Sequence, residues 1–200
     1  MVPNVVDPAV FFPTVDAFVE TRPKRLLFVG QLTPVKGLPY LFEALSKLGR
    51  MRTDWRLDVV GDGEARRDLE QLATGLNLRA RITFHGVKGR HDVAELMRRA
   101  DLFVLPSLCE TFSAPAAEAL ASGTPVLATR CGGPEEFIVD EVGSLVPAAD
   151  AAALARGLRH MLDTLDRYSR ARIRQYAVER FSPEVVGAML HAVYESLGRR

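Results

Sequence analysis

The residues able to do chemistry fall in a few glycine-bounded segments. Gly30-Gln-Leu-Thr-Pro-Val-Lys-Gly37 sets one ammonium, Lys36, among small residues. Small residues let backbone N–H groups approach an anion, and a following helix N-terminus adds a field of ~0.3–1 kcal/mol per charge. An ammonium about 4 Å from a phosphate charge gives roughly 4 kcal/mol at an effective dielectric near 20, before desolvation. Lys36 therefore outweighs the helix field as an anion ligand, the alternative being a surface lysine in a turn. Only four of the 26 basic residues are lysines, which favours the point-charge role. A second segment, Pro106-Ser-Leu-Cys-Glu-Thr-Phe-Ser-Ala-Pro115, carries Glu110 ahead of a helix, with Pro115 as its first residue and Ser113 or Ala114 near the cap. Glu118 follows one turn inside, among alanines. Two carboxylates so spaced can accept hydrogen bonds from two parts of one polyhydroxylated ligand. They equally fit an acid favoured by the helix dipole and a solvated helix glutamate.

Other segments carry weaker signals. Gly61-Asp-Gly63-Glu-Ala-Arg66 has only the first two glycines of a dinucleotide fingerprint and reads as a tight strand–helix turn. Cys131-Gly-Gly-Pro-Glu135 is either a backbone nest for an anion or a plain glycine turn. His85, His91, His160 and His191 lack metal-ligand spacing. Cys109 and Cys131 are too few and too far apart in the chain for a disulfide framework or a four-ligand zinc site.

Six short runs must position these loops: Arg25–Gly30, Trp55–Gly61, Arg81–Gly86, Asp101–Pro106, Pro125–Thr129 and Ser144–Pro147. Each is apolar and closed by Gly or Pro, and most lack alternation, as strands buried on both faces do. Helical periodicity fills residues 38–48, 64–75, 91–99 and 115–122. Repeated strand–helix alternation predicts an α/β fold, a doubly wound, Rossmann-like parallel sheet of about six strands. The chain reads as one domain, residues 1–200, with an α/β core over about 14–148. A helical tail over 149–200 has stretches near 150–164, 166–180 and 183–197, the last capped by Ser182 before Pro183. In such sheets ligands bind outside the carboxyl ends of the strands, where the segments above fall.

Composition narrows the classes. Two hundred residues at 48% hydrophobic and net charge +1 form a self-sufficient core. No apolar run spans a bilayer, no secretory signal opens the chain, and the charge balance gives no pull toward nucleic acid. A cytoplasmic location is expected. Residues 151–200 hold nine Lys and Arg against five Asp and Glu, a local +4. That excess fits a solvated face, or docking on an acidic partner or anionic membrane surface.

In order along the chain, the motifs resemble the C-terminal, donor-binding domain of retaining glycosyltransferases of family 4, which have the two-domain GT-B fold. Val2-Pro-Asn-Val-Val-Asp7 through Phe11-Phe-Pro13 is similar to the family's opening. Leu27-Phe-Val-Gly30 through Lys36-Gly37, Val59-Val-Gly-Asp-Gly63 with Arg66, and Ala100–Ser107 leading into Glu110 and Glu118 follow; the last pair is the family's E-x(7)-E element. Ala121–Val126, Gly132-Gly133 and Gly143–Pro147 complete the order. The resemblance implies that Lys36, Gly30 and Gln31 hold the diphosphate of a UDP-, GDP- or ADP-linked sugar. Glu110, with Thr111, Phe112, Ser113 and Ala114, would hold the sugar hydroxyls, and Lys36 and Glu110 would carry the catalytic duty. Glu118 would accept from the ribose, and the His85–Lys88 loop, including Val87, would line the base. No metal or other cofactor is implied. The acceptor site and a loop histidine would come from a missing N-terminal domain, leaving this chain able to bind donor but not to transfer it. The full enzyme could associate peripherally with a membrane. Gln31 stands where the family has Arg, Val5 where it has Gly, and Thr111 and Ser113 thicken a glycine-rich loop. A sugar-nucleotide epimerase or phosphorylase of similar architecture, and a non-catalytic binding module, remain as alternatives.

Overall fold

The structure, a computed structural model, describes residues 2–13 and 23–198; the expected start of the core near residue 14 lies outside them. Six strands, β1 (Lys24–Val29), β2 (Trp55–Val60), β3 (Ile82–Gly86), β4 (Leu102–Leu105), β5 (Val126–Arg130) and β6 (Gly143–Pro147), form one sheet. All neighbours are parallel, in the order β3-β2-β1-β4-β5-β6. The helices are α1 (Leu38–Leu48), α2 (Arg66–Gly75), α3 (Arg90–Arg99), α4 (Ala114–Ala121), α5 (Ala151–Asp163), α6 (Arg170–Phe181) and α7 (Pro183–Gly198).

Period-2 side-chain alternation explains why the strands read as unbroken apolar runs. Leu26 and Phe28 of β1, and Leu102 and Val104 of β4, enter one core layer with α1, α2 and α5. Leu27, Phe103 and Leu105 enter the opposite layer with α3, α4 and α6. Both layers are dry, so neither face can be polar. At the outer strands the rule relaxes: Asp58 of β2 meets His85 of β3 at 2.7 Å on a half-buried face.

Strand order reverses between β1 and β4, because β2 and β3 lie to one side and β5 and β6 to the other. The loops after β1 and β4 therefore diverge and leave a crevice at the carboxyl edge of the sheet. Glycines let the loops around it meet backbone to backbone. Gly61, at φ +126°, packs so closely that a Cβ would lie 1.9 Å from the Gly30 carbonyl oxygen. Gly37, at φ +65°, approaches the Pro106 carbonyl in the same way, with 2.0 Å to an added Cβ.

The tail departs from expectation in detail. The helix expected over 166–180 starts at Arg170, after a 3-10 turn at Leu165–Arg167 and a break where Ser169 caps the new helix. Ser182 caps α7 as expected, its Oγ accepting from the Val185 amide at 3.4 Å. Two of the four arginines of α6, Arg172 and Arg180, are exposed, and the other two turn inward. Arg170 donates to the carbonyls of Arg98 and Ala100, and Arg174 to those of Ala121, Phe11 and Pro8. These guanidiniums cap the carboxyl ends of α3 and α4, where unpaired carbonyls attract cations.

The Gly61 contact gives a stability test. Gly61→Ala combines a strained φ with a backbone clash, so the unfolding free energy should fall by about 2–4 kcal/mol. Urea unfolding checks this; a loss below about 0.5 kcal/mol would mean that the loop yields without strain.

Candidate active site

Lys36 and Glu110 meet across the crevice. The ammonium lies 2.7 Å from Glu110 Oε1, and the two side chains are 23% and 10% exposed. Lys36 ends the 3-10 turn Pro34–Lys36, whose αL closure at Gly37 starts α1. Glu110 arrives from the other side, held by backbone and side chain together. Its amide donates to the Cys131 carbonyl and its carbonyl accepts from the Gly133 amide, both at 2.8 Å. Ser107 Oγ donates to the same Oε1 at 2.7 Å. Thr129 Oγ in turn donates to the Ser107 carbonyl, so β5 fixes the orientation of the loop. The Leu108 amide donates to the Val35 carbonyl at 2.8 Å, joining the two crevice loops directly.

A carboxylate this buried needs its charge-assisted partners. The arrangement keeps one strong cation at the switch point, with an acceptor beside it and the amino end of α4 just beyond.

That helix begins at Ala114, one residue earlier than expected, with Pro115 in the second position. Ser113 precedes it in the left-handed region, at φ +74°, and makes no side-chain cap. Its hydroxyl is buried and finds no hydrogen-bond partner among the described residues. Left-handed backbone costs a non-glycine residue about 1–2 kcal/mol, and an unsatisfied buried hydroxyl about 1–3. The amides of Phe112, Ser113 and Ala114 donate to no carbonyl of the described residues. Strain and open donors thus gather in the one loop that joins Glu110 to α4. Phe112 anchors that loop against Phe137 and Phe181, at ring separations of 5.1 and 5.5 Å.

Glu118 is half-buried on α4. Burial pushes its carboxyl up to about 7, opposed only by the positive charge of Arg90. Arg90 itself opens α3, lies 3.8 Å from Asp7 and covers the Phe11 ring.

The remaining sequence-predicted residues line the rims. Gly30 follows β1 half-buried, Gln31 and Thr111 are exposed, and Ala114 is half-buried. Val87 is 78% exposed. The expected His85–Lys88 loop is shorter: His85 and Gly86 belong to β3, because the Gly61 amide donates to the Gly86 carbonyl and prolongs the pairing. Sequence reasoning paired neither Lys36 with Glu110 nor Ser107 with either, since residues 74 apart in the chain reveal no contact by their types. Nor did it find Arg90 as the charge acting on Glu118. Two cysteines still make no disulfide framework, as expected, but sequence reasoning did not see that the Glu110–Gly132 bridge brings the Cys109 and Cys131 segments side by side.

Glu118 supplies a pH test. Its folded value is raised above the ordinary 4.5, so the folded chain holds this proton more tightly than the unfolded chain. The stabilisation is full below about 4.5 and is lost as pH rises through about 7. Glu118→Gln lacks this dependence. Its stability relative to the parent should rise between about pH 5 and pH 7 and level off above. Parallel urea titrations across this range check it, and a constant difference would contradict the buried, proton-holding Glu118.

Known proteins share this frame. The MMP α-(1→4)-mannosyltransferase of Mycolicibacterium hassiacum is 33% identical over 199 residues, covering 98% of this chain and 47% of that protein. Sucrose-phosphate synthase from Thermosynechococcus elongatus superposes with a TM-score of 0.87 at 29% identity, over 99% of this chain and 52% of that one. Anabaena Alr3699/HepE, solved in complex with UDP-glucose, shares the fold at a TM-score of 0.81 and 22% identity, over 98% and 56%. The chain spans about half the length of these proteins. Residues 16–180 match the glycosyl transferases group 1. The six-stranded parallel sheet with its helical tail is thus a GT-B-type glycosyltransferase fold, and the chain belongs to the glycosyl transferases group 1.

Proposed function

We propose that this chain is the donor-binding half of a retaining, family 4 glycosyltransferase, and that the crevice between β1 and β4 holds a nucleotide-diphosphate sugar. The Lys36–Glu110 pair at the switch point carries the reading. Its cation suits a diphosphate, its carboxylate suits sugar hydroxyls, and the open amides before α4 suit either. The UDP-glucose held by Alr3699/HepE supports that ligand class.

In this reading Lys36 leaves its contact with Glu110, or shares it, to meet the phosphates. As the bond from the anomeric carbon to the phosphate oxygen breaks, the electron pair goes to the diphosphate. The ammonium and the helix field stabilise that growing charge. Glu110, oriented by Ser107, accepts from hydroxyls of the sugar and holds the anomeric carbon toward the acceptor. Glu118 accepts from the ribose hydroxyls, which its carboxylate form suits, and the loop at Val87 borders the base. Gln31 donates a hydrogen bond to the diphosphate without adding charge, leaving Lys36 the main cation there. No resident cofactor or metal enters the proposal.

The acceptor would bind to a further domain, in keeping with the half-length match. Met189, Leu190, Val193, Tyr194 and Leu197 form an exposed apolar stripe on α7 that such a domain would cover. Two tail arginines, Arg170 and Arg174, are engaged in capping α3 and α4, while Arg156, Arg159, Arg167, Arg172 and Arg180 stay exposed.

Calorimetry with UDP, GDP and ADP tests the donor site, with binding expected for at least one; silence up to millimolar nucleotide would overturn the reading. Lys36→Ala should weaken the bound nucleotide diphosphate at least tenfold more than the matching nucleoside, about 1.4 kcal/mol of selective loss. Equal losses would place Lys36 away from the phosphates. Incubated with a bound sugar nucleotide and candidate acceptors, the isolated chain should show no transfer; robust turnover would refute the half-enzyme assignment.

A further inference from the structure

We propose that Cys109 and Cys131 are a thiol-modification site: reaction with a low-molecular-weight disulfide joins them and pins the loop carrying Glu110 to the end of β5. Two backbone bonds make Glu110 and Gly132 a parallel bridged pair, Glu110 N–H to the Cys131 carbonyl and Gly133 N–H to the Glu110 carbonyl. The residue before each member of that pair is a cysteine. In-register neighbours on parallel strands lie about 4.7–4.9 Å apart and point to the same face. That spacing falls within the roughly 4.4–6.8 Å between α-carbons that a disulfide spans. The two segments pack backbone to backbone just beyond the cysteines, Gly132 on the Glu110 carbonyl and Gly133 on the Thr111 carbonyl.

The two thiols differ in access, which orders the chemistry. Cys109 is exposed, whereas Cys131 is 8% exposed. Burial raises the Cys131 thiol above its ordinary value, and the nearby Cys109 adds to that rise. Cys109 therefore reacts first. Its thiolate attacks the small disulfide RSSR, the S–S bond breaks, and a mixed disulfide Cys109–S–SR forms as RS⁻ leaves. Cys131, deprotonated in turn, attacks the Cys109 sulfur and expels the second RS⁻. The two cysteine protons end on two RSH molecules, the cysteines are oxidised by two electrons and RSSR is reduced by two. A small thiol in excess reverses both steps.

Bond formation draws the β-carbons toward about 3.8 Å, which shifts the segment beside Glu110 on the order of 1 Å. Displacements of that size matter where a carboxylate must meet both Lys36 and a ligand. The effect on ligand rests on the donor-site reading; the bond itself does not.

The test starts with the reduced 200-residue chain treated with oxidised glutathione. Thiol titration after denaturation should fall from two to none, and intact mass should show a monomer lacking two hydrogens and carrying no glutathione. Cys131→Ser should stop at one glutathione on Cys109, and Cys109→Ser should keep one unmodified thiol while folded. Two persisting thiols, a stable Cys109 adduct on the parent chain, or a disulfide between two chains would overturn the proposal. Calorimetry with whichever of UDP, GDP and ADP binds the reduced chain then compares oxidised and reduced protein. A loss of roughly tenfold or more is expected, the size of one hydrogen bond to a charged group. Unchanged affinity would overturn the pinning of Glu110. If the reduced chain binds none of UDP, GDP and ADP, the donor-site reading fails while the thiol counts still decide the bond.

Discussion

Everything at the crevice depends on one constraint: two loops leaving adjacent parallel strands must approach closely enough for Lys36 to reach Glu110. Strand order creates the divergence, and backbone packing then closes it to a usable width. Gly37 against the Pro106 carbonyl and the Leu108 amide on the Val35 carbonyl set that width without side chains. The ion pair is the result of the packing more than its cause. An ammonium still 23% exposed gains little net energy from one carboxylate, so geometry from glycine and backbone has to come first. The backbone that carries each side chain is therefore fixed independently of the ion pair.

The strained start of α4 fits the same logic. Ser113 sits where glycine would be comfortable, and its hydroxyl is left unsatisfied. The surrounding structure sustains this because Phe112 is locked between Phe137 and Phe181, and because Gly133 packs on the Thr111–Phe112 backbone. A loop so over-determined presents its free amides in one arrangement. A softer loop would turn them inward to satisfy one another.

Legibility in the sequence followed the range of the forces involved. Strand and helix positions were readable because burial on both faces leaves continuous apolar runs, as in Leu26–Phe28 and Leu102–Leu105, and because Gly and Pro end them. The location of the site was readable from the same pattern, since the loops at strand ends are fixed once the strands are. Pairings across the crevice were not. Ser107, Thr129 and Glu110 form a chain of contacts over 22 residues, yet each looks like an ordinary polar loop or strand residue alone. Arg90 was invisible for a similar reason: only the packing of α3 beside α4 makes its charge act on Glu118. The tail was legible in part. Its +4 charge suggested a solvated face, which Arg156, Arg159, Arg167, Arg172 and Arg180 occupy, whereas Arg170 and Arg174 turn inward, because helix ends elsewhere in the fold offer unpaired carbonyls.

Those inward arginines tie the tail to the site. The amino end of α4 carries the strained loop, and its carboxyl end at Ala121 is capped by Arg174. The same guanidinium holds the carbonyls of Pro8 and Phe11, so one side chain fixes the opening segment, α4 and α6 together. Arg170 does the like for the end of α3, at Arg98 and Ala100. α3 brings Arg90 and α4 brings Glu118, so the spacing of that charge pair is set from the far ends of both helices. The helix dipoles gain as well, since cations at the carboxyl ends stabilise the helices whose amino ends open toward the crevice. The tail is thus a buttress for the half of the site that lies beyond β4, and α7 is left with its apolar stripe free for a partner.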